Sequence, residues 1–359
     1  MSFLNKNIIS FEPKIIGLDL SDLSVKVFQI EKNGNKEMVR GFGSVDIPSG
    51  IIDDGRIVDK EKVIASIKEA FGSDSARKIN SRKVICSLPE SKAFVRIINI
   101  PKMSEDEAEE AVKWEMEASM PMSLEEVYFD WQFLEESDGK TQRVLTAAVS
   151  REIVDAWMDV LVSAGLDVFG LEVESVATIR SLVDKNSKRE DISLIVDLGA
   201  KRTSFIISEG TVPYFTSSIP FSSEGINDAI SKALNISNDE AEKIKVKNGI
   251  EGLDKESPIF NSVNPLLENL IVEITKTMDF YGEMSGQKGG VGKIILCGGG
   301  SNMKGMAQYL NQRIGKEIFL GNPWVNLKLG SDLPPMDKEV SVRYATSIGL
   351  ALRGLNYGN

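Results

Sequence analysis

Residues 192–209, ISLIVDLGAKRTSFIISE, read as two apolar strands joined by a tight turn that holds Asp197, Gly199 and the polar run 201–204. A turn of this kind aims a row of backbone N–H groups at an anion, and the carboxylate at its mouth can hold a hydrated metal ion; phosphate is the natural guest. A lone Asp-x-Gly between strands is explained as well by an ordinary hairpin, since short motifs match by accident. Repetition weighs against accident here. Residues 14–32, KIIGLDLSDLSVKVFQIEK, have the same layout: apolar strand, Asp19, a small-residue turn through Ser21 and Ser24, then a second apolar strand. Two such hairpins in separate halves of one chain suggest two related lobes facing one ligand. A third stretch adds to them, where the apolar run 293–296 enters Gly298-Gly299-Gly300-Ser301 ahead of a helical pattern over 303–314. Glycine carries no side chain to fend off a ligand, so a strand–GGGS–helix unit lets one lie against bare backbone.

The elements that must position these turns follow from apolar periodicity. After the first hairpin, a third strand near 38–47 and a helix beginning at Asp59, with Val63, Ile64, Ile67, Ala70 and Phe71 at helical spacing, lead to a short strand over 84–88 that Pro89 ends. The order is then interrupted over 93–169. This block reads as a strand over 94–100, an acidic helix opened by the capping box Ser104-x-x-Glu107, strands over 127–135 and 142–149 joined at Ser137-Asp138-Gly139, and a helix over 151–164. Three of the four tryptophans (Trp114, Trp131, Trp157) fall in it, as expected of a small module that fills its core with large side chains. A strand over 166–171 and a helix over 174–183 resume the first lobe, and the charged linker 184–191 marks a domain boundary. Helices are expected over 222–234, 238–247 and 265–283, then a glycine-rich turn at 286–292 and a last helix over 344–352. The expected division is a first lobe of 1–92 with 170–190, an insert of 93–169, and a second lobe of 191–359 with its own helical insertion at about 222–290.

Composition narrows the chemistry. With 359 residues, 42% hydrophobic and 26% charged, the chain can fill two domain cores. A net charge of −11 argues against nucleic acid as the main partner, because that requires a basic footprint. The chain has no histidine, which removes imidazole metal sites and a Ser-His-Asp triad and leaves oxygen-ligated Mg²⁺. Cys86 and Cys297 sit in apolar runs and read as buried reduced thiols. The opening MSFLNKNIIS lacks a signal peptide's apolar core, and no run is long enough to span a bilayer. The expected location is therefore cytoplasmic, with any inner-membrane association made through partners.

The order Asp19, Asp197, 298–301 resembles the two phosphate motifs and the adenosine motif of the actin/heat-shock-protein/sugar-kinase ATPase superfamily. The resemblance implies an α/β, actin-like (ribonuclease H-like) two-lobe fold with ATP or ADP and Mg²⁺ between the lobes. The strand–helix–strand–strand (SHS2-type) insertion narrows it to cell-division FtsA or the type IV pilus assembly PilM family. GLDLSDLSVKV, IPSGIIDDGRIVD, the block from IPKMSEDEAEEAVKWEMEASMPM to YFDW, LEVESVATIRSL, VDLGAKRTS and LCGGGSNMKGM are similar to PilM over essentially the whole chain. The end GLALRGLNYGN, without the amphipathic tail expected of FtsA, favours PilM. An FtsA-like cell-division protein and a small-molecule kinase on the same fold are the alternatives, although no aspartate is distinguished as a kinase base.

Carried over residue by residue, the resemblance implies that Asp19, Ser21, Ser24, Val25 and Lys26 form the first phosphate loop and that Asp197, Gly199, Ala200, Lys201 and Thr203 form the second. Asp19 and Asp197 would hold Mg²⁺ through water. Gly298, Gly299, Gly300, Ser301 and Lys304 would border the adenosine, with Glu242 and Lys245 on its contacting helix. Ser21-Asp22 stands where the superfamily usually has glycine, and Asp22 is expected to add a negative charge beside the phosphates. Glu174 is the one nominee to orient a hydrolytic water, and weak or absent turnover is expected. The implied function is a cytoplasmic scaffold of pilus biogenesis and twitching motility that docks the N-terminal cytoplasmic segment of PilN. Other pilus inner-membrane and motor components, and a homo-oligomer, are further partners the resemblance allows. Met120 and Met122, in a cluster with Met103, Met116, Pro101 and Pro121, are the expected wall of the PilN groove, with the strand over 94–100 offering its edge to the peptide. The same methionines would equally fill a small irregular core.

Overall fold

The computed structural model describes residues 14–357 apart from 35, 74, 75, 77, 138, 255, 286–289 and 330–334, and gives the backbone alone for 135–137. The opening ten residues, Asp138 of the expected polar turn and most of the expected turn at 286–292 lie outside the described residues.

Two sheets organise the chain, and each is built on the same plan. In the first, β1 (Ile16–Ser21) pairs antiparallel with β2 (Ser24–Asn33), which pairs with β3 (Lys36–Asp46). The hairpin of β4 (Ile52–Asp53) and β5 (Arg56–Ile57) and then α1 (Lys60–Gly72) lead to β6 (Lys83–Leu88), parallel to β1. Asp59 caps α1, its carboxylate accepting from the Lys62 N–H. The nearly unbroken apolar run of β1 suits a strand covered on both faces. Val25, Val27, Val63, Ile67 and Val84 form the core against α1.

Next come β7 (Ala93–Pro101), α2 (Glu105–Ser119), β8 (Val127–Ser137), β9 (Thr141–Ser150) and α3 (Arg151–Ser163). The chain then returns to the first sheet as β10 (Asp167–Val173), parallel to β6, and continues as α4 (Glu174–Leu182). The second sheet repeats the opening: β11 (Ile192–Leu198) pairs antiparallel with β12 (Thr203–Glu209), and β12 with β13 (Val212–Ile219). Helices α5 (Ser223–Leu234), α6 (Asn238–Lys247) and α7 (Pro258–Ser285) precede β14 (Lys293–Cys297), which is parallel to β11 as β6 is to β1. The chain ends with α8 (Met306–Ile314), β15 (Glu317–Leu320), α9 (Lys338–Ser341) and α10 (Ala345–Leu355).

Three features depart from the sequence reading. The strands of 93–169 do not stand apart: β7 meets β13 at Arg96–Phe215, so a single eight-stranded sheet runs β15-β14-β11-β12-β13-β7-β9-β8. One face of the β7–β9–β8 part carries its own cluster with α2, while α3 joins the core of the first sheet through Ile153, Trp157 and Leu161. The tryptophans divide accordingly, Trp157 being buried and Trp114 71% exposed. Finally, α10 packs on the first sheet, Ile348 and Leu352 against Phe28 and Ile30, although it ends the stretch expected to form the second lobe. Its apolar face is wide enough to need that cover.

Candidate functional site

The two central hairpins turn toward each other across a cleft of about 1000 Å³. Asp19 and Asp197 sit near the C-terminal ends of the central strands β1 and β11, where Asp19 stands opposite Lys26 and Asp197 lies between Ser204 and Cys297. Of the residues singled out in the sequence, Asp19, Ser21, Ser24, Lys26, Glu174, Asp197, Gly199, Ala200, Lys201, Glu242, Gly298, Gly299, Gly300 and Lys304 all line this cleft. Residues far apart in sequence thus share one wall because the two sheets repeat one topology.

Four of the residues expected to meet the nucleotide do not line it. Val25 points into the core of the first sheet. Thr203 is buried and donates its hydroxyl to the Phe221 carbonyl at 2.9 Å, and Ser301 Oγ donates to the Gly298 carbonyl at 2.7 Å. Lys245 is buried on α6, where its ammonium donates to Ser223 Oγ at 2.6 Å and pairs with Glu242. Burial pushes the Lys245 pKa down against the pull of Glu242. These side chains brace the wall from behind. Met120 and Met122 are elsewhere: Met120 ends α2 inside the cluster of Val112, Met116, Val127 and Val144, and Met122 packs against that cluster. The core reading describes Met120, while Met122 is half-buried at the edge of the cluster. On its outer side β7 is joined to β13 at Arg96–Phe215 alone, so among the described residues the rest of the edge over 94–100 carries no strand pairing on that side; the terminal strand of that end is β8.

At the first turn, Lys26 Nζ donates to Asp19 Oδ2 at 3.2 Å and to Ser24 Oγ at 2.7 Å, while Ser87 Oγ donates to Asp19 Oδ1 at 3.1 Å. Both Asp19 oxygens are thereby fixed. At the second, a Cβ on Gly298 would stand 2.3 Å from Asp197 Oδ1 and 2.6 Å from the Leu198 carbonyl. Only glycine admits that approach, and its φ of 77° is one that other residues rarely adopt.

Asp22 lines the cleft, as the sequence suggested, and it has a second role. Its carboxylate accepts from the backbone N–H groups of Asp54 (3.2 Å) and Gly55 (2.9 Å), in the turn between β4 and β5. Burial raises its pKa, and those two hydrogen bonds with the nearby Lys201 charge oppose the rise. The same carboxylate thus ties the first turn to the β4–β5 turn while it faces the cleft.

Sequence reasoning missed Glu90. It follows Pro89 at the end of β6 with nothing local to mark it, yet it is 5% exposed and lines the cleft. Its Oε2 accepts from the Ser175 N–H at 3.0 Å, and the Glu90 N–H donates to Glu174 Oε2 at 3.4 Å, a reciprocal tie across the start of α4. Desolvation raises the pKa of both carboxyls, Glu174 well above the usual range because Asp19, Glu90 and Asp197 add their charge. Asp197 is pushed up to about 6 by burial and by Asp19. Four carboxyl groups lie here with Lys26 among them, but among the described residues no three such side chains are grouped to hold a metal ion directly, so a hard divalent ion would be held through its water shell.

Comparison with known proteins agrees with this geometry. The family model described as type IV pilus assembly protein PilM matches residues 17–355. The structure is similar to a solved PilM-PilN type IV pilus biogenesis complex chain at 27% identity, covering 96% of this chain and 99% of that one with a TM-score of 0.81. It shares the fold of MreB5 of Spiroplasma citri bound to AMPPNP at 14% identity, with 96% of each chain covered and a TM-score of 0.57. Cell division protein FtsA of Bacillus subtilis (strain 168) is 26% identical over 266 residues, 67% of this chain, which spans 59% of that protein's length. The fold is actin-like, and the chain belongs to the family of type IV pilus assembly proteins PilM.

Proposed function

We propose that this chain is a nucleotide-binding scaffold of the type IV pilus assembly machinery. ATP or ADP with Mg²⁺ sits between the two sheets, and the protein docks the N-terminal cytoplasmic segment of PilN, which places it at the inner membrane through that partner. The observation that carries the nucleotide is the meeting of the turns at Asp19, Asp197 and Gly298–Gly300 on one cleft. A protein of the same fold bound to AMPPNP supports it, and the PilM-PilN complex supports the partner. Asp19 and Asp197 would hold the ion's water shell, the Gly199–Lys201 turn would meet phosphate, and the Gly298–Gly300 turn with Glu242 would border the base and sugar. The ion would neutralise phosphate charge. The raised pKa of Glu174 works against its acting as a base, so the reading includes little or no turnover.

The test is a thermal-shift titration with ATP·Mg²⁺ on the full chain and on Asp19→Ala and Asp197→Ala. The expected result is a ligand-induced shift in the parent that both variants lose while staying folded. Undiminished binding by both variants would refute the assignment. Phosphoryl transfer to a small molecule would favour the kinase alternative instead.

A further inference from the structure

Lys201 and Arg202 follow Gly199 and Ala200 in the second turn, and both line the cleft. Neither is idle. Lys201 Nζ lies 3.7 Å from Asp53 Oδ1 and Arg202 Nε lies 3.8 Å from Asp54 Oδ1. The two acids belong to the small β4–β5 hairpin, on the opposite side of the cleft from the sheet that carries the cations. Arg202 is also steadied by Ser218, donating to its Oγ at 2.9 Å and its carbonyl at 3.2 Å, whereas Lys201 has the freer ammonium.

The Asp53-Asp54-Gly55 turn is held from three further directions. Asp22 of the first turn accepts its N–H groups. Lys92, just after Glu90, donates to Asp54 Oδ2 at 2.5 Å. The buried indole of Trp157, on α3, donates to the Gly55 carbonyl at 3.0 Å. The backbone is committed to this shape: Asp54 has φ 46° and Gly55 φ 76°, the two left-handed residues of a tight hairpin turn. A Cβ on Gly55 would lie 2.7 Å from Pro89 Cγ.

We propose that the Asp53-Asp54-Gly55 turn is an interlobe latch and an internal competitor of the anionic ligand. It pairs with the cations of the second turn that phosphate would also seek, so the two acids and an entering anion compete for them. Because Trp157 holds the same turn, its release is passed to α3 and the β7–β9–β8 end of the large sheet. The competitor role rests on the nucleotide reading above, whereas the latch does not.

Asp53→Asn/Asp54→Asn removes the charges and keeps the turn, since asparagine tolerates left-handed backbone as well as aspartate does. The variant also loses the Lys92–Asp54 pair within the first half, but only the two pairs to Lys201 and Arg202 oppose the anion. Those two, partly exposed, are worth about 1 kcal/mol together, so the variant should bind ATP·Mg²⁺ about fivefold more tightly by calorimetry on the full chain. In ligand-free protein, the amides of 199–203 and 52–57 should exchange with solvent faster than in the parent, with the rest of the chain unchanged. Trp157→Phe, which deletes only the indole donor, should speed exchange at 52–57 alone. Unchanged exchange in the double variant overturns the latch whatever the binding result. Faster exchange with weaker binding overturns the competitor role, because a merely structural turn would support the ligand rather than oppose it. Faster exchange in a chain that binds no nucleotide upholds the latch and refutes the nucleotide reading instead.

Discussion

Glu174 shows how one side chain's environment decides its use. It opens α4, where a carboxylate normally stabilises the helix dipole, yet burial and three neighbouring carboxylates hold its pKa well above the usual range. A carboxyl with a raised folded pKa binds more protons in the native state than in the unfolded chain. Its contribution to stability is therefore full below the unfolded value and is lost as pH rises through the folded one. Ligand-free protein should lose stability as pH rises above about 4.5. Glu174→Gln should flatten that slope and stabilise the ligand-free chain at neutral pH by about 1–2 kcal/mol, read by urea unfolding at several pH values. A variant less stable than the parent at neutral pH would contradict this. The aspartates of the two turns were legible because their strands are short, apolar and repeated. Glu90 was not, because its importance comes from a contact with a helix 84 positions onward that no local pattern announces. The partners of Asp22 were hidden for the same reason: they are two N–H groups of residues 54 and 55.

At the scale of elements, periodicity located most helices and strands, but not which face met what. Helix α10 is the clearest case. Its sequence reads as a terminal helix of the second half, whereas Gly349 of the helix and Gly17 of β1 let it fit against α4 and the first sheet. A Cβ on Gly349 would lie 1.8 Å from the Ala177 carbonyl, and one on Gly17 would lie 2.0 Å from the Ser347 carbonyl. Those contacts are backbone against element, so they cannot relax by a rotamer change. Gly349→Ala should cost about 3 kcal/mol or more, seen as a lower melting temperature, while Gly139→Ala, with nothing within 4 Å of its Cβ but φ 88°, should cost about 1 kcal/mol. Equal losses at the two sites would show that α10 does not pack this closely. The methionines of α2 teach the same lesson. Spacing could not tell a groove from a core, but Met120 is 8% exposed in an apolar cluster. Met120→Glu should therefore lower the melting temperature strongly, by about 3 kcal/mol of stability, rather than selectively weaken a partner. A folded, fully stable Met120→Glu chain would restore the groove.

Across the whole molecule, the eight-stranded sheet makes a single pair of residues, Arg96 and Phe215, the only strand pairing between its two parts among the described residues. One bridge is a weak joint. Beside it lies a buried carboxylate, Glu209 at the end of β12, 3% exposed. It accepts from Arg143 of β9, from Arg189 Nε at 3.3 Å and from the Tyr281 hydroxyl of α7 at 3.2 Å. Burial and the Glu209 charge raise the Tyr281 pKa, which keeps that hydroxyl a donor. Removing one partner of a buried ion pair leaves an uncompensated charge, and the usual cost is about 3–5 kcal/mol; replacing both with apolar groups is often nearly neutral. Glu209 serves two arginines, so the two single changes should be unequal. Glu209→Met strands Arg143, which is 12% exposed at its side chain, and should cost about 3 kcal/mol or more. Arg143→Met leaves Glu209 with Arg189 and Tyr281 and should cost about 1–2 kcal/mol. The double variant should be more stable than Glu209→Met alone, because the stranded guanidinium is gone, and chemical unfolding of the four proteins gives the coupling directly. Costs that simply add would mean that Arg143 is solvated rather than joined to Glu209, and that the β7–β9–β8 end of the sheet is held by its apolar contacts alone.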